Sequence, residues 1–242
     1  MTNRTIETSP QVYARIGGAL YLIIIILGAM EELFIRGGIV VPEDAMTTAI
    51  NLRSMESLWR WGIASELFLG ICTIVLTLIL YVLLKPVSRD LALLATFFSL
   101  LAIAVETTYS LQLVEALYPL GDATYLKVFT PEQLNAMASL SIKAHGDGFG
   151  IALLFFGCFF PIAGYLIFKS GYFPKTIGIL YLIPGLSYLT SSFALILAPT
   201  FANRYYFVMA GPALIGEASL CLWLLVKGVD LLKWEKLVLE AA

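Results

Sequence analysis

Nine ionisable residues stand in or beside long apolar runs of this chain: Glu31, Glu32, Arg36, Glu66, Glu106, Glu115, His145, Asp147 and Glu217. Carboxyl groups in such places can hold protons, pair with cations or bond one helix to another. With His145 and Asp147 they could also serve as general acids and bases. Metal chemistry is poorly supplied: there is one histidine, whereas a catalytic zinc usually takes two or three histidine or cysteine ligands. HExxH, Glu-x-x-His, P-loop and dinucleotide-binding patterns are all absent from the sequence, so no metal and no cofactor is expected. Gly185-Leu186-Ser187 lacks the following glycine that a serine nucleophile would want.

Spacing groups the polar residues into stripes. Gly62, Glu66, Gly70, Thr73 and Thr77 share one helical face, as do Gly18, Tyr21, Ile25, Gly28 and Glu32. Further stripes run through Gly178, Tyr181, Gly185, Tyr188 and Ser192, through Ala210, Ala213, Glu217 and Cys221, and from Asp147 through Gly150, Leu154, Gly157 and Pro161 to Gly164. Small residues at these steps let helices approach closely. Glu106 and Glu115 are nine residues apart; at about 100° per residue they face opposite sides. Most of the acids lie in one half of their apolar runs. This predicts a polar cavity open on that side, with Glu32, Glu66, Glu106 and Glu217 pointing inward. Glu217, close after Pro212, is expected to bond across to a neighbouring span as a neutral acid. His145-Gly146-Asp147-Gly148 reads as a turn or helix break with a satisfied histidine.

The elements that position these groups follow from composition. Of the residues 60% are hydrophobic and only 13% charged, and the mean hydropathy is +0.88. A soluble domain carries roughly 25% charged residues. Continuous apolar runs such as Leu20–Leu27 and Ile74–Leu84 indicate helices, not the alternating strands of a barrel. The expected fold is all-α, a polytopic bundle of six spans at about 13–34, 58–84, 91–118, 149–168, 176–198 and 206–226, forming a single transmembrane domain over 1–242. The polar lead Met1–Val12 has no prompt cleavage site after it, so span one is expected to stay as an anchor. Net charge is −2, so nucleic acid is not an expected partner; the expected surroundings are the lipid bilayer. Cys72, Cys158 and Cys221 fall inside apolar runs and form no framework.

One side of the spans carries Arg4, Arg15, Lys85, Arg89, Lys169, Lys175, Lys227, Lys233 and Lys236; the other carries Arg36, Arg53, Arg60, Lys127, Lys143 and Arg204. The bias places both termini and the turns 85–90 and 169–175 in the cytoplasm. Two longer outer connections each predict a short helix. Pro42-Glu43-Asp44 starts one, with Met46, Ala49, Ile50 and Arg53 at helical spacing. Thr130-Pro131-Glu132-Gln133 matches a capping box, with Leu134, Met137 and Leu140 as the apolar face of a helix leading into span four.

There is a weak internal repeat. Arg15-x-x-Gly18-x-Leu20-Tyr21-Leu22-Ile23 matches Lys175-x-x-Gly178-x-Leu180-Tyr181-Leu182-Ile183. Tyr81, Tyr165 and Trp223 each precede a lysine by four residues. The chain thus reads as three hairpins in one orientation.

Several segments carry a family likeness: Ala14-Arg15-Ile16-Gly17-Gly18-Ala19-Leu20-Tyr21, Glu32-Leu33-Phe34-Ile35-Arg36-Gly37, Leu80-Tyr81-Val82-Leu83-Leu84-Lys85-Pro86, His145-Gly146-Asp147-Gly148-Phe149-Gly150, Gly164 to Lys175, and Leu222 to Gly228. Together they resemble a bacterial membrane family known as a domain of unknown function, number 4386. The resemblance covers nearly the whole chain and implies a bacterial inner-membrane protein. It carries over no catalytic residues. Three functional classes fit the residues: a protein binding or transporting a small solute or proton, a membrane-embedded enzyme acting on a lipid or small amphiphile, and a non-catalytic partner subunit.

Overall fold

A computed structural model describes residues 9–240, except the side chains of residues 203–207, 209 and 210. Arg4 and most of the polar lead lie outside the described residues, as do the side chains of Arg204, Tyr206 and Ala210. The described chain is helical, and no strand occurs among the described residues. In chain order the helices are α1 (Pro10–Met30), a π-helical turn (Glu31–Arg36), α2 (Gly37–Ile39), α3 (Ala45–Ser54), α4 (Glu56–Leu84), α5 (Arg89–Tyr109) and α6 (Leu111–Glu115). After two 3-10 turns come α7 (Pro131–Lys169), α8 (Lys175–Leu180), α9 (Ile183–Leu197), α10 (Pro199–Val226) and α11 (Leu231–Glu240).

Among the described residues five helical segments are long and apolar enough to cross a membrane: Pro10–Ile39, Glu56–Leu84, Arg89–Leu120, Pro131–Lys169 and Lys175–Leu197. Within α10, the stretch Gly211–Val226 is likewise apolar. The helices form a ring, in which α1 packs on α4, α4 on α5, α5 on α7, α7 on α9, α9 on α10, and α10 back on α1. Large apolar side chains such as Ile71, Leu78, Phe97, Phe193 and Leu222 point away from it, exposed. In water such a surface would drive association; in hydrocarbon it is the natural outer face. With no hydrophobic force between spans inside lipid, close packing must hold them together. Glycines supply it. A Cβ at Gly18 would meet Leu225 of α10, and one at Gly178 would lie 2.6 Å from the Phe168 amide nitrogen of α7.

Both ends of the described chain and the two short turns gather at one end of the ring, the turn end. Gln11 clasps the C-terminal segment, donating to the Lys227 carbonyl (2.9 Å) and accepting from the Val229 amide (2.9 Å). Arg15 donates to the Leu224 and Leu225 carbonyls, a cation at the carbonyl end of α10. Tyr172, in the α7–α8 turn, donates to the Leu83 carbonyl at 2.6 Å. Leu80, Leu83, Leu166, Ile167, Leu220 and Leu224 fill this end with a buried apolar core. The repeat also has a structural counterpart: the matched residues Tyr21 and Tyr181 meet, hydroxyl to hydroxyl, at 3.2 Å. Of the aromatic–lysine pairs, the Lys169 ammonium lies 5.9 Å from the Tyr165 ring centre.

The opposite end is roofed by α3, α6 and the start of α7; we call it the cap end. Asp44 caps α3, accepting from the Thr47 amide at 2.9 Å and the Thr47 hydroxyl at 2.6 Å. These two bonds hold its carboxyl below the usual carboxylate range. The residues read at helical spacing do not share one buried face. Ala49 is buried with Thr48 and Leu52, while Met46 and Ile50 are exposed. Thr130 and Gln133 form the expected capping box at α7. Of that helix's expected apolar face, Met137 and Leu140 are exposed and Ala138 is buried instead. Trp59 ties the roof down, its indole N–H donating to the Leu113 carbonyl at 2.9 Å.

One expectation is corrected. The segment 145–148 is no turn: α7 runs unbroken from Pro131 to Lys169. Gly146 has open space around it, while a Cβ on Gly148 would collide with the Tyr109 ring, so both glycines are compatible with a helix that packs closely on α5. The span expected at 176–198 corresponds to Lys175–Leu197, which carries an irregular step between α8 and α9 at Tyr181–Leu182. Pro184, two residues into α9, has no N–H to continue the ladder; Gly216 of α10 packs against the Leu180 carbonyl and the Pro184 ring there. The span placed at 91–118 corresponds to Arg89–Leu120, with a step at Ser110 between α5 and α6.

Candidate functional site

The ring encloses a cavity of about 340 Å³. Its cap-end pole is built by the π-helical turn. A π turn inserts one extra residue and closes i→i+5. It sets Glu31, Glu32 and Arg36 on neighbouring faces. Arg36 Nη1 lies 2.9 Å from Glu66 Oε2 and 3.3 Å from Glu31 Oε1, and Arg36 Nε donates to Glu32 Oε2 at 2.9 Å. Glu31 is 3% exposed and Glu66 7%, against 38% for Glu32. Helical spacing had picked Glu32 as the inward acid; the π turn makes Glu31 the buried one.

Glu66 is held from behind as well. His145 Nε2 lies 2.9 Å from Glu66 Oε1, and the Ser110 hydroxyl donates to the same oxygen. The turn that ends α5 is what frees Ser110 to reach across to α4. A buried carboxylate with this many donors is held in one rotamer, as buried charges require. His145 and Ser110 do not line the cavity; they brace the residue that does.

Glu106 also lines the cavity, near Glu66, Arg36 and Glu31. It has no hydrogen-bond or salt-bridge partner among the described residues. The deeper pole holds Glu217, which accepts from the Tyr188 hydroxyl of α9; the expected bond to a neighbouring span is therefore present. Tyr21 and Tyr181 line the cavity beside it, and Thr77 bonds Ser99 at 2.7 Å on the facing wall. Counting 1.5 Å per residue along α4, Glu66 and Thr77 are roughly 16 Å apart, which gives the distance between the two poles. Between them the walls are apolar and aromatic, with Ile25, Leu69, Leu153, Phe156, Phe159 and Phe160.

Two sequence candidates fall elsewhere. Glu115 is half-buried in the roof and does not line the cavity. Asp147 faces outward and pairs with Lys143 at 3.4 Å. Ser110 and Ser99 are bracing or cavity residues that sequence reasoning did not single out, whereas helical spacing already puts Tyr21 and Thr77 on the faces of Glu32 and Glu66. Among the described residues no three His, Cys, Asp or Glu side chains converge where a metal ion could sit.

A ring of apolar helices with lipid-facing walls and an internal polar cavity defines a polytopic α-helical membrane protein. The family model for a domain of unknown function (DUF4386) matches residues 16–228, and the chain belongs to that family. It is similar to an uncharacterised protein of the archaeon Archaeoglobus fulgidus, 29% identical over 169 residues, covering 69% of this chain and 84% of the relative. No solved structure matches it.

Proposed function

We propose that this protein binds a small solute in the enclosed cavity and passes it across the membrane, with the cavity carboxyl groups as the recognition and proton-exchanging groups. The observation that carries this reading is the cavity itself. It spans much of the membrane's depth, and its volume of about 340 Å³ falls in the usual range for ligand pockets. Its polar groups sit at two poles joined by an apolar wall, the pattern of a site that orients a ligand.

The proposed setting is a cell's plasma membrane with the turn end in the cytoplasm. Support comes from the basic residues gathered there: Lys85, Arg89, Lys169, Lys175, Lys227, Lys233 and Lys236. The cap end then faces outward. An acid–base enzyme has less support, because His145 is spent on Glu66 behind the cavity wall. A partner subunit has less support too, because the small-residue stripes are filled by the chain's own helices at Gly18, Gly157, Gly178 and Gly216.

The test needs no knowledge of the solute. In a background without Cys72, Cys158 and Cys221, a single cysteine replaces Thr73 on the cavity wall. Oriented proteoliposomes are treated with a water-soluble thiol reagent from either side. Transport by alternating access predicts labelling from both sides. Labelling from one side alone would overturn the transport reading.

A further inference from the structure

We propose that the solute is an organic cation, an amine or quaternary ammonium carried on an apolar or aromatic body. This deepens the preceding reading and rests on it. Among the described residues five carboxyl groups line the cavity, those of Glu31, Glu32, Glu66, Glu106 and Glu217, against the one guanidinium of Arg36. Arg36 is already shared among Glu31, Glu32 and Glu66, so it is not free to receive an anion. Glu106 is the acid left over, half-buried on the cavity wall and without a hydrogen-bond or ion-pair partner among the described residues. A carboxylate in a low-dielectric site needs a positive partner or a proton.

The walls decide what kind of positive partner. A hard metal ion wants six or more oxygen ligands, and no such convergence exists among the described residues. A proton alone needs no cavity of this size. Phe156, Phe159, Phe160, Tyr181 and Tyr188 line the space between the poles, with Phe160 edge-on to Tyr181 and Tyr188 at 4.8 and 5.5 Å. Aromatic faces attract ammonium groups and bury apolar bodies at once. A cationic head at Glu106 with its body among these rings satisfies both parts of the lining.

The probes are phenyltrimethylammonium, its uncharged carbon analogue tert-butylbenzene, and benzenesulfonate. Binding is measured calorimetrically to the full chain in nanodiscs, with empty nanodiscs subtracted. The cation is expected to bind most tightly. Glu106→Gln should weaken it by roughly tenfold to a hundredfold, the size of the interaction between a carboxylate and an opposite charge a few ångströms away, and leave tert-butylbenzene unchanged. Phe156→Leu should weaken both. Should Glu106→Gln fail to give a monodisperse protein, Glu106→Asp replaces it, expected to keep the preference for the cation at lower affinity. Sulfonate or tert-butylbenzene binding as tightly as the cation would overturn the cation assignment and leave a binding cavity standing. No binding of any probe, or cation affinity unchanged in the Glu106 variant, would also overturn it. Thr73 labelled from one side only, with cation binding intact, would remove transport and leave this inference.

Discussion

Arg36 is the residue on which the cap-end pole depends. Its guanidinium meets Glu31, Glu32 and Glu66 from three directions. Removing the cation from a buried group of acids leaves charges uncompensated, which costs about 3–5 kcal/mol. Arg36→Met should therefore lower stability by that order in a detergent unfolding titration. Arg36→Lys should recover only part, since an ammonium cannot reproduce the fork; full recovery by lysine would show that charge alone matters. Glu217 should behave differently. Glu217→Gln keeps an oxygen for the Tyr188 hydroxyl and should melt near wild type. Glu217→Leu removes that acceptor and should cost about 1–3 kcal/mol. Residue choice was partly legible in the sequence. Intramembrane carboxyls are rare, so Glu31, Glu32, Glu66, Glu106 and Glu217 stood out. Their partners were not legible. Which of Glu31 and Glu32 turns inward depends on a π turn that ordinary helical spacing does not foresee, and Ser110 reaches Glu66 only because α5 ends beside it.

At the scale of elements, close glycine contacts hold the ring. Gly178 lies against the backbone of α7, where nothing can give way. Gly178→Ala should destabilise by about 1–3 kcal/mol, separating α8 from α7. Gly146, in the same fold but with open space around it, should tolerate alanine and gain about 0.5–1 kcal/mol from helix propensity. Equal effects of the two substitutions would contradict the packing described. The α3 cap makes a pH prediction. Because the folded Asp44 carboxyl is held below its unfolded range, its contribution is complete above the unfolded value near 3.9 and fades as pH falls through the lower folded value. The protection factor of the Thr47 amide, its exchange rate divided into the intrinsic rate at the same pH, should thus fall on acidification, and Asp44→Ala should abolish that dependence. Helix starts were partly legible because caps are local chemistry: the Thr130–Gln133 box is where the sequence puts it, while α3 begins at Ala45 behind the Asp44 cap and leaves Pro42 and Glu43 in the preceding turn. Helix faces were less so. Met46, Ile50, Met137 and Leu140 recur at helical spacing yet lie exposed, because hydrophobicity in a membrane protein does not separate the core from the lipid side. The irregular step at Tyr181–Leu182 was hidden by continuous hydropathy, although Pro184 marked it.

For the whole molecule, the chain closes into a ring by joining its first span to its last, through α1 on α10 and the Gln11 clasp to Lys227 and Val229. Apolar composition and an all-α bundle of long apolar helices were readable at once; closure was not, since it rests on contacts across about two hundred residues. The proposed orientation is checked with single cysteines at Ser88 and Asp122 in intact cells. An impermeant thiol reagent should label position 122 and spare 88; the reverse pattern would invert the orientation. The central claim, a polar cavity inside the ring, has a more direct test. Nitroxide labels are placed at Thr73, on the cavity wall, and at Ile71, 61% exposed on the lipid-facing side at nearly the same depth. In nanodiscs in heavy water, the deuterium modulation of the electron spin echo reports water near each label. The account predicts strong modulation at Thr73 and almost none at Ile71. Equal dryness at both positions would contradict it.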